Sequence, residues 1–184
     1  MEDSDLIGRI RSGDGEAFAD LVRQYQARVI RLCTSILSDA ALAEDAAQDI
    51  FLKTYRALNA FRGDASFSSW LYRIAANHCK DLLRRRAREK TESWDALVEK
   101  HGDQIQGLLA VTKDPVPTAA DTELVDKVLS CLAPDYRIIL TLREVQGLSY
   151  EEIAQALRCS LDAVKARLRR ARQALQENLR HFSG

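Results

Sequence analysis

The sequence predicts an all-α fold of two small helical domains joined by a flexible linker, and three observations carry that reading. All three prolines fall at Pro115 or later, so the first 114 residues lack the strongest helix breaker. Apolar residues recur at spacings of three and four through residues 1–90 and again through 119–184, the period of a helix that buries one face. Between these stretches residues 91–118 lose the period and gather Gly102, Gly107, Pro115 and Pro117, which marks a linker long by the standard of compact domains. With 184 residues the chain is large enough for one good core or two small ones. A content of 46% hydrophobic and 29% charged residues speaks against wholesale disorder.

A short first helix is predicted through Leu6, Ile7 and Ile10, ending at the turn Ser12-Gly13-Asp14. A second spans Gly15 to Leu37 with Phe18, Leu21, Val22, Tyr25, Val29, Leu32, Cys33 and Ile36 inward. Ser38 and Asp39 carry side-chain oxygens suited to cap the open amides of a third helix. Its apolar face is Leu42, Ala43, Ala46, Ala47, Ile50, Phe51, Thr54, Tyr55 and Leu58, and the same period sets off Asp45, Gln48, Asp49 and Lys53 as a polar stripe. The segment Asn59-Ala60-Phe61-Arg62-Gly63-Asp64-Ala65 breaks the pattern as a loop. A fourth helix follows, with Phe67, Trp70, Leu71, Ile74, Ala75 and Leu82 inward, and runs into the basic tail Arg84-Arg85-Arg86.

In the second half a helix through Leu124, Val125, Val128, Leu129 and Leu132 stops at Ala133-Pro134. Another restarts through Tyr136, Ile139, Leu140, Leu142 and Val145, with Pro134 in its first turn and Gly147 closing it. Ser149 and Glu152 then have the spacing of a capping box ahead of Ile153, Ala154 and Leu157. After the break Arg158-Cys159-Ser160, a longer helix carries Val164, Leu168, Ala171, Leu175 and Leu179 on one face and Lys165, Arg167, Arg169, Arg170 and Arg172 on the rest. A short helix, a tight turn and a longer basic helix are the sequence form of a helix-turn-helix. Such a helix fits the major groove of duplex DNA, where arginine and lysine donors reach guanine edges and phosphates. The alternative is a solvated helix face.

Net charge is zero, yet six of the eleven residues from Lys80 to Lys90 and six of the fifteen from Arg158 to Arg172 are basic, while Thr91 to Ala120 holds five acidic and two basic residues. The chain is therefore not an indiscriminate polyanion binder. Cys33, Cys79, Cys131 and Cys159 are scattered, as are His78, His101 and His181, so no metal cluster is expected. The cysteines read as buried small hydrophobes of a cytoplasmic chain. No nucleophile stands beside a base, and neither enzyme chemistry nor a cofactor is expected. Apolar runs reach only four residues, as at Leu108 to Val111, far short of a membrane span.

Residues 43–86, AEDAAQDIFLKTYRALNAFRGDASFSSWLYRIAANHCKDLLRRR, resemble region 2 of the extracytoplasmic-function (ECF) sigma factors of bacterial RNA polymerase, in the sigma-70 superfamily. Residues 132–175, LAPDYRIILTLREVQGLSYEEIAQALRCSLDAVKARLRRARQAL, resemble region 4 of the same family. The resemblance implies a factor that binds core polymerase and directs promoter-specific initiation, recognising the minus-35 duplex and opening the minus-10 element. It places contact with the β′ clamp helices on Asp45, Gln48, Asp49 and Lys53, and divides the chain into a region 2-like domain (1–90), a linker (91–118) and a region 4-like domain (119–184) that also meets the β flap. Minus-10 contacts fall on Asn59, Phe61, Arg62, Asp64, Trp70, Arg73, Asn77, Arg84, Arg85 and Arg86. Minus-35 contacts fall on Arg158, Ser160, Lys165, Ala166, Arg167, Arg169, Arg170 and Arg172. An anti-sigma protein, membrane-linked or soluble, is the further partner the family implies.

Two residues carry a second reading: Phe61 either stacks on a flipped base or plugs back into the core, and Trp70 lies on the apolar stripe as well as the DNA face. The chain departs from the family at Asp162-Ala163, where Gly-Thr is common, and at Ala166, where serine is frequent; a hydroxyl donor is lost and a carboxylate gained near the phosphates. The competing function is a helix-turn-helix regulator that binds DNA without polymerase.

Overall fold

The computed structural model describes residues 2–101 and 132–182, and every regular element among them is helical. The first module is α1 (Asp3–Arg11), α2 (Gly15–Leu37), α3 (Ala40–Ala57), a single 3-10 turn (Leu58–Ala60) and α4 (Phe67–His101). Caps set the boundaries. The Asp14 carboxylate accepts the Glu16 and Ala17 amides at 3.0 and 3.2 Å to start α2, and Asp39 accepts the Leu42 amide at 3.0 Å to start α3. Ser38 does not cap α3; it closes α2 in the left-handed conformation (φ 53). Leu21, Leu32, Ile36, Ile50 and Leu71 are fully buried where α2 packs against α3 and α4.

Two expectations change here. Tyr55 is 54% exposed, with its ring edge-on to Phe18 at 4.8 Å, so it rims the core instead of filling it. The expected loss of helix at residue 91 does not occur, because no glycine or proline interrupts the chain from Phe67 to His101 and Gly102 is the first breaker. The remainder of the expected linker, the helix through Leu124 to Leu129, and Cys131 lie outside the described residues.

The second module is α5 (Pro134–Leu140), a π-type turn (Thr141–Val145), α6 (Tyr150–Leu157) and α7 (Leu161–Phe182). The sequence predicted one helix running through Val145. Instead the ladder slips by one residue, the Gln146 amide bonding to the Thr141 carbonyl at 3.0 Å, and Val145 turns outward at 45% exposure. The capping box forms as predicted: Ser149 Oγ accepts the Glu152 amide at 3.1 Å, and Glu152 Oε2 accepts the Ser149 amide at 2.8 Å. Ser149→Ala should lower the stability of this module by about 1 kcal/mol, read as a shifted urea midpoint at constant slope.

The two modules are not separate bodies. Ile139, Leu142, Ile153 and Leu168 join the first module in one continuous core, α6 packing along α4 and α5 against α2. Three polar contacts close the seam. The buried Arg137 donates from Nη1 to the Ile36 carbonyl at 2.6 Å, Gln146 Nε2 donates to the Arg28 carbonyl at 3.2 Å, and Lys80 pairs with Asp135.

Candidate functional site

On α3, Asp45, Gln48 and Asp49 are all exposed, and the helical repeat carries their stripe on to Leu52, 53% exposed, and to Tyr55. Carboxylates flanking exposed apolar side chains form a surface suited to a protein partner better than to nucleic acid. Beside it a groove of about 390 Å³ between α2 and α3 is lined by Val22, Gln26, Ile30, Ala47, Gln48 and Phe51. Leu52 escaped the sequence reading because a lone apolar residue beside a polar stripe carries no periodic signal.

Behind the stripe lies His78 of α4, its side chain only 8% exposed. Lys53 Nζ sits 2.6 Å from His78 Nδ1, and an ammonium only donates, so Nδ1 accepts and the ring proton resides on Nε2. That atom faces Asp49 Oδ2 at 3.6 Å, beyond a good hydrogen bond. Burial, then the Lys53 charge, depresses the His78 pKa, with Arg85 adding to the effect and Asp49 and Asp81 opposing it. The unfolded chain therefore takes up the proton more readily than the folded one. Stability is full above the unfolded histidine pKa of about 6.5 and declines as pH falls through the lower folded value. We expect thermal stability to fall as the pH drops below about 6.5, and His78→Gln, whose amide can both accept from Lys53 and donate toward Asp49, to flatten that decline.

The Asn59 to Ala65 loop is held from an unforeseen direction. The guanidinium of Arg11, at the end of α1, donates to the Leu58 carbonyl at 3.2 Å and also to the Phe61 carbonyl. Asn59, Arg62 and Asp64 are exposed, and Gly63 takes the positive φ of 81 that the turn needs. Phe61 is half-buried and packs against Phe67 and Trp70 at ring distances of 5.8 and 5.2 Å; Trp70 itself is 8% exposed. Both rings thus have core contacts. A cavity of about 260 Å³ opens beside them, lined by Phe61, Arg62, Asp64, Trp70 and Arg73 of the first module and Arg158 of the second.

Farther along α4, Asn77, Arg84, Arg85 and Arg86 are exposed. Arg86 holds Asp39 at 2.9 Å; the Leu42 amide first, and then Arg86, keeps the Asp39 carboxyl below the usual range. Arg84 lies 4.0 Å from Asp81.

In the helix-turn-helix the left-handed Arg158 (φ 50) makes the turn, and the Ser160 hydroxyl accepts the Ala163 amide at 3.2 Å to start α7. Lys165, Arg169 and Arg170 project outward; Arg170 Nε also donates to the Ala166 carbonyl at 3.3 Å. Arg172 is tethered to Glu144 at 2.8 Å. Ala166 and Arg167 are half-buried, and Arg167 and Arg158 line a cleft against α4 together with Arg73 and Asn77. The basic residues of this module therefore divide between an outer face and the seam. Among the cysteines, Cys33 and Cys79 are buried with their sulfurs 3.7 Å apart, and Cys159 is half-buried. Among the described residues no group of histidines, cysteines and carboxylates is arranged to hold a metal, and no helix is long and apolar enough to cross a membrane.

Residues 21–89 match the sigma-70 region 2 family and residues 122–175 match sigma-70 region 4. The chain is 38% identical over 181 residues to the RNA polymerase sigma-H factor of Pseudomonas aeruginosa, covering 97% of this chain and 94% of that protein. It is 36% identical over 182 residues to the ECF RNA polymerase sigma-E factor of Escherichia coli K12, covering 97% and 95%. Among solved structures it resembles CnrH in complex with the cytosolic domain of CnrY, with a TM-score of 0.70 at 26% identity over 97% of both chains. It also resembles the sigma factor RpoE of Bartonella quintana bound to the anti-sigma factor NepR, with a TM-score of 0.66 at 27% identity over 89% of this chain and 96% of that one. Both family regions, in order and spanning relatives of nearly equal length, place this chain among the ECF sigma factors of the sigma-70 family, which direct transcription initiation and are not enzymes.

Proposed function

We propose that this sigma factor docks on the polymerase clamp helices through Asp45, Gln48, Asp49 and Lys53, aided by Leu52 and Tyr55. It reads the minus-35 duplex through the outer face of α7, at Lys165, Arg169 and Arg170, with the half-buried Ala166 beside them. The loop from Asn59 to Ala65 and the α4 residues Arg73 and Asn77 meet the opened minus-10 element, with Arg84, Arg85 and Arg86 on phosphates. The observation that supports this division is that acidic-apolar and basic surfaces lie on different helices, so protein and DNA are engaged without competing for one face.

Both promoter elements cannot be read in the closed arrangement. Elements about 25 base pairs apart lie about 85 Å apart at ~3.4 Å per pair, whereas a compact chain of this length has a radius of gyration of only ~16 Å. Promoter engagement therefore requires the seam between modules to open, freeing Arg73 and Arg158. The resemblance to a sigma factor solved in complex with an anti-sigma factor supports an anti-sigma protein as a further partner of this chain.

Run-off transcription with purified core polymerase over a promoter library tests the reading. Specific transcripts are expected, and Arg169→Ala or Arg170→Ala should weaken selection of the upstream element roughly five- to a hundredfold, as loss of a base contact of about 1–3 kcal/mol implies. DNA binding without any specific transcript would favour the polymerase-independent regulator.

A further inference from the structure

We propose that the seam between the two modules contains an anion site for a phosphate-bearing small molecule, with a diphosphate as its minimal occupant, and that filling it holds the chain closed. The site is a cavity of about 160 Å³ walled by Arg73, Asn77 and Lys80 of α4 and by Asp135, Arg158 and Arg167 of the second module. Four of these side chains are cationic and one is a carboxylate. Lys80 already engages Asp135. Arg73, Arg158 and Arg167 are left with no side-chain hydrogen bond or ion pair among the described residues.

Like charges are brought together here by the packing of α6 on α4. Arg73 is half-buried, and its ionisation is disfavoured first by burial and then by the charge of Arg158. Folded chains do not ordinarily collect partly desolvated guanidinium groups around an open space without a counter-charge. An oxyanion satisfies the planar forks of two arginines at once, in the geometry that makes arginine the preferred phosphate ligand. At ~30 Å³ per water the cavity holds about five waters, room for a phosphate or diphosphate group.

The same two arginines, Arg73 and Arg158, also wall the adjoining cavity of about 260 Å³ that contains Phe61 and Trp70. A nucleotide would place its phosphates between the arginines and its ring in this second space. A ligand that touches both modules binds only the closed chain and stabilises it by mass action. Interference with promoter engagement rests further on the reading that the seam must open on promoter DNA; anion binding itself does not.

The test uses the full chain without polymerase or DNA, titrated with pyrophosphate in a phosphate-free buffer at fixed ionic strength. Calorimetry should give saturable one-to-one binding, and the thermal midpoint should rise. Arg73→Gln and Arg158→Gln should each weaken binding at least tenfold, while Arg56→Gln, on the exposed surface of α3, should not. Without pyrophosphate, Arg158→Gln should melt no lower than the parent, because it removes a repulsion; a structural contact would show the opposite sign. Tighter binding of ADP than of pyrophosphate assigns a nucleotide, equal binding assigns the diphosphate alone, and adenosine should not bind. Absence of saturable binding, or equal binding by parent and arginine variants, overturns the site. Promoter-specific transcription is scored separately, so a sigma factor lacking this site and an anion-binding chain that starts no transcript give different results.

Discussion

Replacing Arg137 by alanine is expected to detach the second module from the first. Arg137 is only 6% exposed, and its guanidinium reaches across the seam to the Ile36 carbonyl at 2.6 Å while Nη2 holds the Leu132 carbonyl of its own module at 3.3 Å. Ile36 lies in the last turn of α2, where carbonyls have no intrahelical partner and the negative end of the helix dipole attracts a cation. One side chain therefore satisfies a buried acceptor and complements the dipole. Hydrogen bonds from a charged group contribute about 1.5–3 kcal/mol each, and a stranded buried acceptor costs about 1–3 more. A loss near 3 kcal/mol changes the closed-to-open ratio by about a hundredfold. Small-angle scattering should report a larger radius of gyration, and melting should separate into two transitions. Gln146→Ala, which removes the smaller contact to the Arg28 carbonyl, should do less. An unchanged radius for the Arg137 variant would show that closure does not depend on this contact. If opening limits promoter engagement, the same variant should transcribe more, not less, from a given amount of chain.

That seam could not have been read from the sequence, and the reason is physical. Helix periodicity records which residues of one segment share a face, so the core positions Leu21, Leu32, Ile50, Ile153 and Leu168 were legible. Capping chemistry is equally local, which is why the Ser149–Glu152 box was visible in the order of residues. Arg137 binds a backbone atom 101 residues away, and a carbonyl has no residue signature. Arg11, which holds the loop carbonyls of Leu58 and Phe61, escaped for the same reason. His78 and Cys79 look like a pair in sequence, but adjacent helical residues point apart: one meets Lys53 and Asp49, the other Cys33. The basic residues of the second module were found but not sorted. Whether Arg158 and Arg167 face outward or into the seam depends on how α6 lies on α4, a long-range choice the local pattern does not encode.

Asp49→Arg is expected to abolish polymerase binding while leaving the fold and the DNA-reading helix in place. The residue stands on the exposed stripe of α3, 61% exposed, between Asp45 and Gln48 on one side and Leu52 on the other. Reversal removes one attraction to a basic partner and creates a repulsion, a change that at a buried interface costs about 2–5 kcal/mol. Near 3 kcal/mol, retention on core polymerase should fall about a hundredfold. Folding should change by less, because the carboxylate makes no close hydrogen bond and lies 3.6 Å from His78. The new cation does join Lys53 and Arg85 around that imidazole, so some loss of stability is expected from local repulsion. Asp49→Asn separates the two effects: it keeps the shape and adds no cation, so it should lose affinity by a smaller factor and melt close to the parent. Pull-down on purified core polymerase measures the first quantity and thermal denaturation the second. Full retention of the arginine variant would exclude docking through this face and would return the stripe to the status of a solvated helix surface, with core polymerase engaged elsewhere on the chain.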